Sequence, residues 1–202
     1  EYIETNAYFY IDDATLCGFL IDPGAEPERL LDIIRERGFH IEKILLTHGH
    51  FDHIGAADAV RQALSVPICM HANGRAYAEQ PRQNLSNQTG RPISLKDVTF
   101  WEDSADIRLR HTDACRLTLI HTPGHTEDGC VYRAADEDIA FVGDTIFADG
   151  YGRTDFYGGD SSALMASIRE KILTLPADTV LLPGHGEPTT VRTEQGRPWY
   201  RI

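Results

Sequence analysis

No stretch of this chain approaches the roughly 20 apolar residues that a membrane-spanning helix requires, so no membrane segment is expected. Cysteine is sparse: Cys17, Cys69, Cys115 and Cys130 form no C-x-x-C pair and lie mostly in apolar runs. That excludes a disulfide scaffold and reads as buried, reduced thiols, which favours a cytoplasmic location. Positive charge is also short: 19 Lys and Arg stand against 31 Asp and Glu, a net charge of −12, and the basic residues are scattered. A nucleic-acid surface needs clustered cations to neutralise phosphates, so no nucleic-acid partner is expected and the acidity reads as a solvated surface. Glu1-Tyr2-Ile3-Glu4 shows neither a basic n-region nor an apolar h-region, so no signal peptide is visible. No low-complexity linker interrupts the 202 residues. A chain of this length is about one domain and can bury a real core, so residues 1–202 are expected to form a single domain.

Histidine, by contrast, is concentrated. Thr47-His48-Gly49-His50-Phe51-Asp52-His53 follows directly on the apolar run Ile44-Leu45-Leu46. Such a run reads as a buried strand, so the polar groups emerge where that strand ends. Neutral imidazoles and carboxylates are ligands of zinc and its first-row neighbours. His48 and His50, at alternate positions, can face one ion, while Asp52 and His53 turn toward a second. A solvated, His-rich loop is the plain alternative, and the rest of the chain argues against it.

Two more histidines arrive in the same way. The runs 117–122 and 179–182 break at Pro123-Gly124 and Pro183-Gly184 and deliver His125 and His185. Proline ends a ladder and glycine permits a sharp turn, so the next side chain projects above the strand end. A fourth run, Ile139-Ala140-Phe141-Val142, stops at Gly143 and presents Asp144. Strand ends converging on one sheet edge are a usual place for a site in layered α/β folds. His48, His50 and His125 form one ligand set with an open position; Asp52, His53 and His185 form another; Asp144 is left to bridge. Two ions roughly 3.5–4 Å apart, sharing a carboxylate and a hydroxide, make a hydrolytic centre. Zinc is the first expectation, with iron or manganese as alternatives.

These runs resemble, in order and over essentially the whole chain, the motifs of the metallo-β-lactamase superfamily: H-x-H-x-D-H at 48–53, Thr-Pro-Gly-His-Thr ending at Thr126, Val-Gly-Asp ending at Asp144, and Pro-Gly-His ending at His185. Gly152-Arg153-Thr154-Asp155-Phe156, His125-Thr126 with Gly129-Cys130, and Asn84-Leu85-Ser86 look most like small glyoxalase II-like hydrolases. The resemblance implies an α/β fold, a four-layer αββα sandwich, with the ions in a groove at one edge of two sheets.

Two cations bring a shared water near neutral ionisation and polarise a carbonyl. Asp52 and Asp144 are read as orienting that nucleophile and accepting its proton while acting as ligands. A thiolate departs unaided because free thiols ionise near pH 8.5, whereas an amide nitrogen needs a proton donor. A small-molecule thioester or activated ester is therefore the expected substrate, S-lactoylglutathione first. Glyoxalase II continues into a helical C-terminal domain whose basic residues hold glutathione; no such segment follows His185 within these 202 residues. Arg153, Arg82 and Arg91 are then the candidates for holding its carboxylates, and Tyr157 could donate to a substrate oxygen or simply pack.

The same motifs leave rivals. A persulfide dioxygenase shares the Gly-Arg-Thr-Asp-Phe run but uses one iron, and a complete second ligand set weighs against it. A lactonase is a further alternative. A β-lactamase more often has Cys in place of Asp144, a flavodiiron protein has Glu in place of His50, and a non-catalytic binding module would not need an open metal centre.

Elsewhere, residues 7–22 read as a hairpin, 28–37 as a helix closing at Gly38, 54–64 as a helix, 66–70 as a strand, and 161–173 as a helix capped by Ser161 or Ser162. The polar stretch 79–92 is the longest candidate loop and is placed near the mouth of the site. Asp22 reads equally as a turn former before proline and as a carboxylate behind a metal-bound imidazole. His40, His71, His111 and His121 are expected to be structural or exposed.

Overall fold

The computed structural model describes residues 3–200. Its first half builds a five-stranded sheet, in the order β1 (Tyr8–Ile11), β2 (Cys17–Ile21), β3 (His40–Leu45), β4 (Ile68–His71), β5 (Val98–Trp101). β1 and β2 form the expected antiparallel hairpin, and β2 through β5 run parallel. The second half supplies β6 (Asp106–Ile107), β7 (Leu117–His121), β8 (Cys130–Ala134), β9 (Ile139–Gly143), β10 (Val180–Pro183) and β11 (Thr189–Thr190). These form a six-stranded sheet in the order β11-β10-β9-β8-β7-β6, antiparallel except for the β9–β10 pair.

The strands of a sheet buried on both faces are apolar on both, because successive side chains point to opposite sides. Phe19 and Ile21 of β2 face the second sheet, where they meet Leu117, Leu119, Tyr132 and Phe141 in the core between the sheets. Leu20, between them, faces outward and packs with Ile44 and Ile68 against the helices α1 (Pro27–Arg37) and α3 (Ala57–Leu64). On the far face of the second sheet, Val131, Ala140 and Leu181 pack against Leu164 of α5 (Ser161–Ser167), Ile168 and Ile172. Val191 of α6 (Val191–Gln195) closes that layer. Three apolar cores thus separate four layers, the αββα sandwich expected from the resemblance. Among the described residues no helix is long and apolar enough to cross a membrane.

Local chemistry sets the helix ends. Pro27 opens α1, and Gly38 closes it in the left-handed conformation (φ 69°), donating its N–H to the carbonyls of Arg35 and Ile34. Three boundaries differ from the sequence reading. The helix expected over 54–64 is two pieces, α2 (Phe51–Ile54) and α3, separated by a turn at Gly55 and Ala56; Gly24 packs so closely there that a Cβ on Gly55 would strike its carbonyl. The helix over 161–173 is capped by Asp160 instead of a serine: its carboxylate accepts from the amides of Ser162 and Ala163. It then continues from α5 as a π-helical turn over Ile168–Ile172. The strand expected over 66–70 starts later, as β4. A short helix, α4 (Arg75–Glu79), which the sequence reading did not identify, precedes the expected loop.

Candidate metal centre

Four strands stop at one edge of the sandwich, and each delivers what its sequence promised. β3 comes from the first sheet and runs into Thr47, His48, Gly49 and His50, before the short α2 carries Asp52 and His53. β7, β9 and β10 come from the second sheet and deliver His125, Asp144 and His185. All seven side chains meet. His50 Nδ1 lies 3.0 Å from His125 Nε2. His53 Nε2 is 3.3 Å from one oxygen of Asp144, while His125 Nε2 and His185 Nε2 stand 3.5 and 3.4 Å from the other. His185 Nε2 is also 3.3 Å from Asp52 Oδ2. Donor atoms cluster as His48-His50-His125, His48-His53-Asp144 and Asp52-His53-His185, each within 4.8 Å.

The structure allows that crowding only where glycine stands. A Cβ at Gly184 would collide with Asp144 Oδ1 and the His53 ring, and one at Gly152 with the Asp144 carbonyl and the His125 ring. Proline alone therefore does not explain the Pro-Gly-His turn; the glycine makes room for the neighbouring donors.

The donor set also passes a chemical test. Buried polar groups are normally paired, yet Nε2 of His48, His50 and His53 and Oδ1 of Asp144 are buried without a hydrogen-bond partner. Imidazole nitrogens and a carboxylate oxygen left without hydrogen-bond partners in one buried cluster suit cations, which accept donors of that kind.

The opposite nitrogens are fixed by the protein, as ligating imidazoles usually are. His53 Nδ1 is 2.9 Å from Asp22 Oδ2, His125 Nδ1 is 2.7 Å from the Arg153 carbonyl and His185 Nδ1 is 2.6 Å from the Glu4 carbonyl. Asp22 also accepts from the Thr47 amide and hydroxyl at 2.8 and 2.6 Å. Of the two readings of Asp22, the carboxylate behind an imidazole describes its contacts. Its backbone, at φ 49°, holds that position at a sharp turn.

Charge is unevenly distributed. Burial, reinforced by His53, pushes the His48 pKa well below its ordinary value; burial and His125 take His50 down to about 3. Burial lowers His125 as well. On the other side burial works the same way but loses: Asp144 and Asp22 raise His53 well above its ordinary value. Against the same burial, hydrogen bonds to Asp144 and Asp52 raise His185 to about 10. Burial would raise the two carboxylates, yet His185 lowers Asp52, and His53 with His185 takes Asp144 well below the usual range.

Other sequence-derived candidates sit at the rim. Arg153 contributes its carbonyl to His125, while its guanidinium pairs with Asp155 at 2.7 and 2.6 Å and lies 4.1 Å over the Phe156 ring. Phe156 is in turn 5.9 Å from His50. Tyr157 is about half exposed and packs on Tyr77, whose hydroxyl donates to the Tyr157 carbonyl at 3.0 Å. The loop after α4 reaches the centre through Asn84, whose carbonyl accepts from the Phe51 amide at 2.9 Å. His71 and His121 stack on each other at 3.8 Å, away from the donor cluster, and His40 is exposed. Sequence reasoning missed Phe147, 5.9 Å from His185, and Tyr77, 6.2 Å from His50. It also missed Asp128, a buried carboxyl whose only signal was its place between the His125 turn and the apolar start of β8.

The metallo-beta-lactamase superfamily profile matches residues 3–185. The chain is 38% identical over 195 residues to the probable metallo-hydrolase YqgX of Bacillus subtilis, covering 96% of this chain and 90% of that one. It is 35% identical over 179 residues to the hydroxyacylglutathione hydrolase GloC of Haemophilus influenzae, covering 87% and 83%. Among solved structures, the B3 metallo-beta-lactamase BLEG-1 superposes with a TM-score of 0.90 at 37% identity, covering 97% and 94% of the two chains. TTHA1623 in a di-iron-bound form gives 0.82 at 32% identity, covering 97% and 95%. With its fold, its profile match and these relatives in agreement, the chain belongs to the metallo-beta-lactamase superfamily and is a metallo-hydrolase of that family.

Proposed function

We propose that the protein is a binuclear metal-dependent thioesterase of the glyoxalase II type, acting on small acyl thioesters such as S-lactoylglutathione. The observation that carries the reading is the cluster of unpartnered imidazole and carboxylate atoms at the sheet edges. His48, His50 and His125 would hold one ion and Asp52, His53 and His185 the other, with Asp144 between. When bound, such a pair supplies Lewis acidity toward a carbonyl oxygen and a water ionised near neutral pH. Asp52 and Asp144 orient the nucleophile and take its proton. Phe156 and Phe147, flanking the cluster on the His50 and His185 sides, form apolar walls for an acyl chain.

The leaving group decides between substrates. A thiolate departs without a proton donor, because free thiols ionise near pH 8.5. The Tyr77 hydroxyl, on the ring beside His50, is committed to the Tyr157 carbonyl and does not serve as an acid. The likeness to hydroxyacylglutathione hydrolase GloC supports this direction. Because Arg153 is already paired with Asp155, glutathione carboxylates are held weakly, with a high KM and tolerance of other thiols.

The likeness to BLEG-1 favours a second reading, β-lactam hydrolysis. Both ions are read as zinc, and iron is favoured next because TTHA1623 holds iron. Four cysteines without disulfides suit a reducing, cytoplasmic setting for this single catalytic domain. The test is kcat/KM for S-lactoylglutathione, a simpler thioester and a β-lactam, alongside elemental analysis and oxygen uptake on a persulfide. Thioesters should exceed the β-lactam. A faster β-lactam, or oxygen consumption with one iron per chain, overturns the proposal.

A further inference from the structure

Two buried carboxylates lie close to the run that supplies four of the seven proposed ligands, and only one of them is accounted for. Asp22 grips that run from β2 through the Thr47 amide, the Thr47 hydroxyl and His53 Nδ1. The other is Asp128, 1% exposed, in the short connection between the His125 turn and β8. Both of its carboxyl oxygens are sealed from solvent and neither makes a hydrogen bond of full geometry. Its neighbours are the Thr126 hydroxyl, itself buried and unpartnered, and the backbone amides of Asp128 and Gly49.

Gly49 stands between His48 and His50. Among the described residues its buried amide has no backbone acceptor. An unpaired buried N–H is costly, and here it faces a carboxyl that lacks partners of its own. The turn is otherwise constrained on its other side, where a Cβ on Gly49 would strike Tyr77. Asp128 also shares its connection with His125: Thr122 donates to the Gly129 carbonyl at 2.7 Å and Gly124 to the Thr126 carbonyl at 3.0 Å. A carboxyl there touches both turns that present the three-histidine set.

We propose that Asp128 is a positioning residue that accepts from the Gly49 amide and the Thr126 hydroxyl, clamping the His48-Gly49-His50 turn to the His125 turn and thereby fixing the three-histidine half of the centre. Asp22 holds His53 directly and reaches His48 only through Thr47. The inference rests on reading His48, His50 and His125 as ligands.

The experiment measures zinc affinity by chelator competition, and thermal stability of the metal-free protein, for wild type, Asp128→Asn and Asp128→Leu. Asparagine keeps an acceptor oxygen; leucine keeps volume and loses it. The clamp predicts that Asp128→Leu weakens the tighter zinc site by about 10- to 100-fold, the usual range for groups that orient ligands. Asp128→Asn should stay within about threefold of wild type, because an acceptor for the amide remains. A purely structural role would lower the melting temperature of the metal-free variant and leave the affinity of the folded fraction unchanged, which overturns the proposal. Should Asp128→Leu fail to fold, Asp128→Ala takes its place: a zinc affinity weakened more than threefold supports the clamp, and a smaller change overturns it. Wild-type protein that binds no zinc, iron or manganese overturns the metal-centre reading, and this inference with it.

Discussion

The two halves of the centre both present imidazoles, but the protein pushes their protonation in opposite directions. His48, His50 and His125 form a buried cluster of depressed pKa, with imidazoles that stay neutral and lone pairs ready. Asp52, His53 and His185 form a more open cluster in which carboxylates keep the imidazoles protonated, and the His185 side chain is 27% exposed. One half resembles a preorganised cation site; the other is a set of ion pairs that must release protons before it can bind. The number of carboxylates, more than depth, makes the difference: fully buried His53 faces Asp22, Asp52 and Asp144 and is raised, whereas His125 stands 3.5 Å from Asp144 alone and is lowered. A cation is therefore expected to enter the histidine half first.

The sharpest way to break that contrast is to remove the group common to both halves. Asp144→Ala takes away an oxygen beside His53 and another beside His125 and His185. Hydrolysis should fall by on the order of 10³-fold or more, and elemental analysis should show both ions depleted. Wild-type turnover would mean that the halves do not share a bridge.

Asp22→Asn weighs more on the carboxylate half, where Asp22 meets His53 directly, than on the histidine half, which it reaches only through Thr47, whose hydroxyl is 3.2 Å from His48 Nδ1. The carboxylate takes the Thr47 amide on one oxygen and His53 on the other, and an amide has only one acceptor oxygen, so the weaker ion should lose about 10- to 100-fold in affinity. The tighter ion should lose less, and stepwise metal titration separates the two. Equal losses in both would contradict the division.

Acidity offers a graded test. In the metal-free protein the raised His185 contributes stability that is fully present below its unfolded value, near pH 6.5, and lost as pH rises through about 10. Because the proton and the cation compete for Nε2, affinity at the carboxylate half should climb by about tenfold per pH unit for each proton displaced. The histidine half, already neutral, should be nearly flat above pH 6.5. Titrations at pH 6, 7, 8 and 9 distinguish the slopes, and parallel slopes would erase the contrast.

The smallest effect is expected at the rim. Arg153→Ala leaves the carbonyl that His125 uses and removes only an exposed guanidinium already paired with Asp155. KM for S-lactoylglutathione should change by no more than about fivefold, in line with exposed ion pairs, with kcat unchanged. A larger rise in KM would make Arg153 a genuine anchor for the thiol part.

What the sequence disclosed divides along the same physical line. Donors presented by strand ends were legible because apolar runs, Pro-Gly breaks and the residue that follows are adjacent in the chain. His48, His125, Asp144 and His185 could each be located from a window of a few residues. Contacts between remote windows were not: Asp22 was ambiguous until its 2.9 Å approach to His53 was seen, and Asp128 was silent because its partner Gly49 lies far away in sequence. Helix ends erred by small steps for local reasons. An Asp160 carboxylate reaching two amides outcompeted the serines after it, and the close approach of the Gly24 carbonyl to Gly55, beside the break between α2 and α3, is a contact that helical periodicity does not encode. The guanidinium of Arg153 looked available on paper because Asp155 was read as part of a motif and not as its counter-ion.

The hydrogen bond between His185 and the Glu4 carbonyl joins residues 181 positions apart, and Asn6 and Tyr8 brace the same turn through Pro183 and Gly184. Its consequence lies in time. During synthesis β1 can pair early with β2, but residues 4–8 must wait for their partners until residues 183–186 have been made. Contacts this distant in sequence are slow to form, because closing the loop costs entropy before any contact repays it. On the proposed ligand assignment the carboxylate half is therefore a late event in folding, and a cation taken up early by the 48–53 run would be held by half its ligands until residue 185 arrives.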